Sequence, residues 1–232
     1  MTIKLEYFSD VLCIWAYGGQ VRLDELKREF VDEIKIKYRF VPIFGSGKQH
    51  VNNVWKDEGG LPGFNAHLQE VVKNWPHICI SPDLWTKVAP ETSTSAHLYL
   101  KAIQLLTDSG EIDNTPLGEF NGRNCYEEAI WLFRDAFFRE GKDIARRCTQ
   151  DEIAQKLSLP LVKVHELIDS GRAYAALHED DEARHDYKVP GSPTLVLNEG
   201  RQLLYGNVGY RIIDANVREL MYNPTHGEAS WC

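Results

Sequence analysis

The chain has 232 residues, 43% apolar and 26% charged, ordinary proportions for a globular protein of one large domain or two small ones. Its formal net charge of -8 disfavours a nucleic-acid partner, because a phosphate backbone selects basic surface. No apolar run approaches the ~20 residues that span a bilayer, so no membrane partner is expected.

The opening residues, Met1-Thr2-Ile3-Lys4-Leu5, alternate at once and show no apolar stretch with a cleavage site, so a cytoplasmic location is the expectation. Ile3, Leu5 and Tyr7 alternate with Lys4 and Glu6, which predicts a strand over residues 3–8. From Cys13 to Phe30 the pattern turns helical, with Leu23, Leu26 and Phe30 on one face. Residues 34–41 return to period two, Ile34, Ile36, Tyr38 and Phe40 against Lys35, Lys37 and Arg39. A strand-helix-strand start of this kind sets its strands parallel.

Residues 44–65 are rich in Gly, Asn and Lys and are expected to form a long loop. From about 64 to 185 the patterns are helical. Ser93 or Ser95 can cap a helix that runs through Leu106 and stops near Gly110. Tyr126, Ile130, Phe133 and Phe137 mark a strongly amphipathic helix. Thr149-Gln150-Asp151-Glu152 fits a capping box, and Pro160 suits the first turn of the next helix. In the polar helix 173–185, the run Glu179-Asp180-Asp181-Glu182 is expected to face solvent. Residues 194–197 and 202–205 predict a hairpin around the turn 198–201, followed by a last helix over 212–221. The tail from Asn223 is expected to be loose.

The expected fold is therefore α/β, its sheet drawn from both ends of the chain (1–43 and 189–222), with 44–188 as an all-helical insertion and 223–232 as a tail. The five cysteines, at 13, 79, 125, 148 and 232, form no C-x-x-C pair, and the eight histidines are scattered. Neither a disulfide framework nor a metal site is expected.

Cys13 falls where the first strand gives way to a helix. Unpaired amides and the helix dipole favour an anion there, and a thiolate is the nucleophilic form of cysteine. A lowered thiol pKa is the expectation; the alternative is an ordinary buried cysteine in a first turn. Val189-Pro190-Gly191-Ser192-Pro193-Thr194 leads into a strand, where a proline's missing donor is tolerated. The Ser192-Pro193 bond fits either a cis bond or a common trans turn. His97 reads as a hydrogen-bonded structural histidine. Gly45-Ser46-Gly47-Lys48 is rejected as a phosphate loop, because Gln49 follows the lysine and Pro42 stands where glycine is needed.

Ser9-Asp10-Val11-Leu12-Cys13-Ile14-Trp15-Ala16-Tyr17-Gly18 resembles the active-site segment of DsbA-type thioredoxin-like proteins. The branch resembled is that of FrnE-like oxidoreductases and 2-hydroxychromene-2-carboxylate isomerases. Thr94-Ser95-Ala96-His97, residues 132–141 and Gly191-Ser192-Pro193-Thr194 resemble further segments of that branch, in the same order. The resemblance implies a thioredoxin-like fold with a helical insertion, Cys13 as nucleophile and a facing cis-proline loop at Ser192 and Pro193. It implies that the Ser192 backbone offers strand-like hydrogen bonds to a bound peptide or glutathione, with Trp15 either lining the substrate surface or belonging to the core. Gly206-Asn207-Val208-Gly209 occupies the region where glutathione-binding relatives hold the γ-glutamyl end, which makes Asn207 a candidate contact; the acidic residue or serine of those relatives is missing. No tightly bound cofactor is implied. The implied partner is glutathione or another thiol-containing substrate, with a homodimer left open.

The chain departs from the branch where Ala16 stands in place of the usual second cysteine and Ile14 in place of proline. A dithiol enzyme resolves its mixed disulfide with that second thiol. Three outcomes stay open: single-cysteine exchange with glutathione or a protein thiol, a glutathione-dependent isomerase or kappa-type transferase, and a redox-inactive binding module. Cys232 is a further resolving thiol to weigh against an idle cysteine on a tail.

Overall fold

The computed structural model describes residues 2–222. Strand β1 (Ile3–Ser9) buries Ile3, Leu5 and Tyr7 on one face, as its alternation requires. It pairs in parallel with β2 (Ile34–Phe40) and antiparallel with β3 (Thr194–Leu197), which in turn pairs with β4 (Gln202–Tyr205). The sheet order is β2-β1-β3-β4, so the N-terminal pair and the C-terminal pair lie side by side, joined where β1 meets β3.

The single helix expected after Cys13 is two: α1 (Ile14–Gly18) and α2 (Gln20–Glu29), with Gly19 between them. The expected loop over 44–65 is overturned. It holds α3 (Gly47–Val54), a 3-10 turn (Lys56–Glu58) and the start of α4 (Gly60–Val72). Then follow α5 (Thr94–Asp108), α6 (Cys125–Phe138), α7 (Arg147–Lys156), α8 (Leu161–Asp169), α9 (Arg172–Asp186) and α10 (Tyr210–Tyr222). The face predicted for α6 is inside: Tyr126, Ile130, Phe133 and Phe137 are all buried. Full burial of an aromatic ring is among the largest single hydrophobic contributions, about 1.5–3 kcal/mol for Phe.

Three local expectations fail for one physical reason: the side chains are used across the fold instead of within their own helix. Ser93 precedes α5 but makes no cap; its hydroxyl donates to Asp10 at 2.8 Å. The capping box belongs to α6, between Asn124 and Glu127, not to residues 149–152. Helix α7 already begins at Arg147, and Gln150 donates to the Ser95 hydroxyl and the Ile144 carbonyl, both at 2.9 Å. Asp180, expected on a solvated face, is fully buried. It accepts from Phe40 N at 2.9 Å and Lys101 Nζ at 3.0 Å, and pairs with Arg39 at 3.1 Å, joining α9 and α5 to β2. The expected tail 223–232, with Cys232, lies outside the described residues.

Candidate active site

Strand β1 ends at Ser9, and residues 10–13 turn the chain into α1, with Cys13 as its N-cap residue. β3 lies beside β1, so the loop before β3 arrives at the same end of the sheet. The Ser192-Pro193 bond in that loop is cis. Cys13 Sγ lies 3.4 Å from the Ser192 carbonyl oxygen, and the Asp10 amide donates to Ser192 Oγ at 2.9 Å. Two segments about 180 residues apart thus meet around one sulfur.

Asp10 organises this end of the sheet. It is fully buried. One carboxylate oxygen accepts from Leu12 N at 2.8 Å; the other accepts from Phe44 N and the Ser93 hydroxyl, both at 2.8 Å. His97 is buried beside it, stacked on Phe40. Its Nε2 accepts from Val11 N at 3.2 Å, which makes it the structural histidine expected.

The expected low pKa is overturned. Cys13 is only 6% exposed. Burial pushes its thiol up, against the pull of the Ser192 side chain and of the Ala16 and Trp15 amides, and the Asp10 charge adds to the rise. The dipole expectation fails because α1 is a five-residue helix, too short to offset desolvation of a thiolate.

Trp15 is half-buried and meets Trp75 edge-on, ring centroids 5.2 Å apart. It also borders a small cavity with Tyr7, Arg22, Pro193, Gly206 and Val208, which neither Cys13 nor Ser192 lines. The Pro193 carbonyl accepts from Gly206 N at 2.8 Å, which seats the 206–209 turn against the proline loop. Asn207 is exposed in that turn, and its side-chain oxygen accepts from Arg22. Tyr7 and Arg22 were not legible as site residues. Tyr7 read as core alternation, and Arg22 lies outside the apolar face read from Leu23, Leu26 and Phe30.

Helix α1 is clamped on its far side. The Tyr17 ring is stacked between Trp131 and Phe138, at 5.0 and 4.9 Å, and its hydroxyl donates to Asp135 at 2.9 Å. Ala16, where a second thiol was looked for, is fully buried. A larger concavity, about 690 Å³, opens between α2, β2 and residues 116–131, but neither Cys13, Ser192 nor Pro193 lines it. Among the described residues no group of histidine, cysteine and carboxylate side chains could hold a metal ion, and no helix is long and apolar enough to cross a membrane.

The chain matches the DSBA-like thioredoxin domain over residues 4–216. Its structure is similar to the cytosolic disulfide reductase DsbM from Pseudomonas aeruginosa, with a TM-score of 0.64 and 17% identity, covering 93% of this chain and 98% of that one. A structure of DsbM with glutathione aligns at 0.63 and 16% identity, covering 93% and 99%. 2-Hydroxychromene-2-carboxylate isomerase aligns at 0.60 with 15% identity over 97% of this chain and 100% of that one. The thiol-disulfide exchange protein alpha-DsbA2 from Wolbachia pipientis aligns at 0.55 with 14% identity, covering 94% and 81%. No curated protein matches the sequence. These likenesses show the fold.

Proposed function

Because this chain belongs to the DSBA-like thioredoxin domain family, we propose that it performs thiol–disulfide exchange through a single cysteine, Cys13, with glutathione or a protein thiol as partner. The observation that carries this reading is the 3.4 Å approach of Cys13 Sγ to the Ser192 carbonyl, beside Pro193. A docked disulfide stretched along that loop takes strand-like hydrogen bonds from the Ser192 backbone, with Trp15 and Pro193 as apolar walls and Asn207 nearby, held by Arg22.

The exchange runs in two displacements. Cys13 loses its proton to solvent, and the thiolate attacks one sulfur of the partner disulfide. That S–S bond breaks as the Cys13–S–S bond forms, and the leaving thiolate takes up a proton. Since Ala16 supplies no second thiol, a separate thiolate must attack the mixed disulfide and return Cys13. The raised pKa makes the resting sulfur a guarded one, so the rate depends on how a partner is seated. We place this activity in the cytoplasm, supported by the likeness to a cytosolic reductase.

The test is incubation with oxidised glutathione followed by peptide mass mapping. An adduct at Cys13, absent in Cys13→Ser and released by reduced glutathione, is expected. Adducts on the exposed Cys79 and Cys148, with Cys13 left free, would defeat the reading. Ala16 also favours a second reading, a glutathione-dependent isomerase or kappa-type transferase, since neither needs a resolving thiol. Saturable glutathione binding without net redox turnover identifies that case.

A further inference from the structure

We propose that Arg22 is a specificity residue for the exchange at Cys13, selecting a partner that carries a carboxylate close to its reacting sulfur. The inference rests on Cys13 being the exchanging thiol. Arg22 sits on α2 and borders the same cavity as Trp15 and Pro193. Cys13 lies two residues before Trp15, and its sulfur touches the residue before Pro193. The buried Tyr7 ring lines that cavity too, together with Gly206 and Val208.

The charge of Arg22 is unspent. Among the described residues no carboxylate lies within ion-pair distance of it. The three acidic side chains of its own helix face other partners: Asp24 takes Gln20 and Arg123, Glu25 takes Arg28, and Glu29 takes Tyr210 and Arg218. On α10, which follows the Asn207 turn, Asp214 is taken by Arg218. The partner Arg22 does have is neutral, the Asn207 side-chain oxygen. That bond uses one of five guanidinium donors and fixes the group at the rim, leaving further donors in a fork that matches a carboxylate. In a chain of net charge -8, a half-buried arginine with no carboxylate partner among the described residues, on the cavity it shares with Trp15 and Pro193, is a local attractor for anions.

A molecule joined through sulfur to Cys13 and lying against Trp15 and Pro193 therefore brings its carboxylate to Arg22. A neutral disulfide gains nothing there, and a cationic one is repelled. The test compares mixed-disulfide formation at Cys13 with three probes: oxidised glutathione (anionic), 2-hydroxyethyl disulfide (neutral) and cystamine (cationic). Wild type is expected to favour oxidised glutathione, with the preference shrinking at high salt. Arg22→Gln is expected to lose about tenfold on oxidised glutathione, the scale of one charge-assisted hydrogen bond, and to keep its rate on 2-hydroxyethyl disulfide, which also shows the fold intact. Arg22→Lys is expected to recover part of the loss.

Binding of S-methylglutathione, which cannot exchange, reads the carboxylate contact without the chemistry. Weaker binding in Arg22→Gln supports the assignment. Equal rates of Arg22→Gln and wild type on oxidised glutathione, or an equal loss on all three probes, overturn Arg22 while leaving Cys13 exchange standing. S-methylglutathione binding that depends on Arg22, with an inert Cys13, overturns the exchange reading instead.

Discussion

Replacing Asp10 by Asn is expected to weaken the fold and quicken Cys13 at the same time. The buried carboxylate accepts from Leu12 N on one oxygen and from Phe44 N and Ser93 Oγ on the other. Asparagine keeps the shape but turns one oxygen into an NH2 group. Whichever way the amide lies, that group then faces a buried backbone N–H, of Leu12 or of Phe44. One unsatisfied buried donor costs roughly 1–3 kcal/mol, and the remaining bonds lose the strengthening of an ionised acceptor. The sum is about 2–4 kcal/mol. For a chain of this size each kcal/mol lowers Tm by about 2–4 °C, so a fall of about 4–16 °C is expected. The same change removes a negative charge that raises the Cys13 thiol, so its pKa moves down. Urea unfolding reads the first effect. Iodoacetamide labelling of Cys13, followed by peptide mass mapping below the unfolding transition, reads the second. Stability within about 0.5 kcal/mol of wild type, or slower labelling of the variant, refutes the role assigned to Asp10.

Cys13 itself makes stability pH-dependent. Its pKa is raised in the folded chain, so folding holds the proton more tightly than the unfolded state does. The contribution is complete below the unfolded thiol value and disappears as pH climbs through the folded one. Cys13→Ser should flatten that alkaline decline in a pH series of urea midpoints, and an identical slope in the two proteins contradicts it. Gly18→Ala places a methyl 2.3 Å from a Trp75 ring carbon, so the indole must leave its edge-on contact with Trp15. A loss of about 0.5–1.5 kcal/mol and an altered near-ultraviolet circular dichroism spectrum are expected; an unchanged spectrum counts against the contact. Lys101→Met leaves Asp180 buried with Arg39 and Phe40 N as remaining partners. A cost of about 2–3 kcal/mol is expected, under the ~3–5 kcal/mol of breaking a buried pair outright, and a neutral result in thermal unfolding argues against a buried pair.

What the sequence revealed and what it concealed follow from whether a residue acts locally. β1, β2 and the 194–205 hairpin were legible because alternation reports a face directly, and α6 because its aromatics all point inward. The position of Cys13 at a strand end and the proline loop were legible as segments. That they touch depends on β1 pairing with β3, which no local pattern encodes. The helices within 44–65 were hidden because Gly47 and Gly63 serve close packing, while Gly59 and Gly60 make the turn into α4. A Cβ on Gly47 would lie 2.4 Å from the Pro90 carbonyl, so only glycine lets α3 approach. The thiol pKa was misjudged because the dipole argument sees only α1, whereas the burial that outweighs it comes from the whole site. Asp180 looked solvated for the same reason: its three partners lie on β2 and α5.

The pairing of β1 with β3 also sets a timetable. A ribosome completes Cys13 long before it reaches Thr194. Helices lying between can begin to form as they emerge, but the wall that shelters the sulfur arrives only 179 residues after it. Until then the nascent thiol is wet and ionises like that of a free peptide. A thiol that is buried in the folded chain is thus open to oxidants while those 179 residues are added.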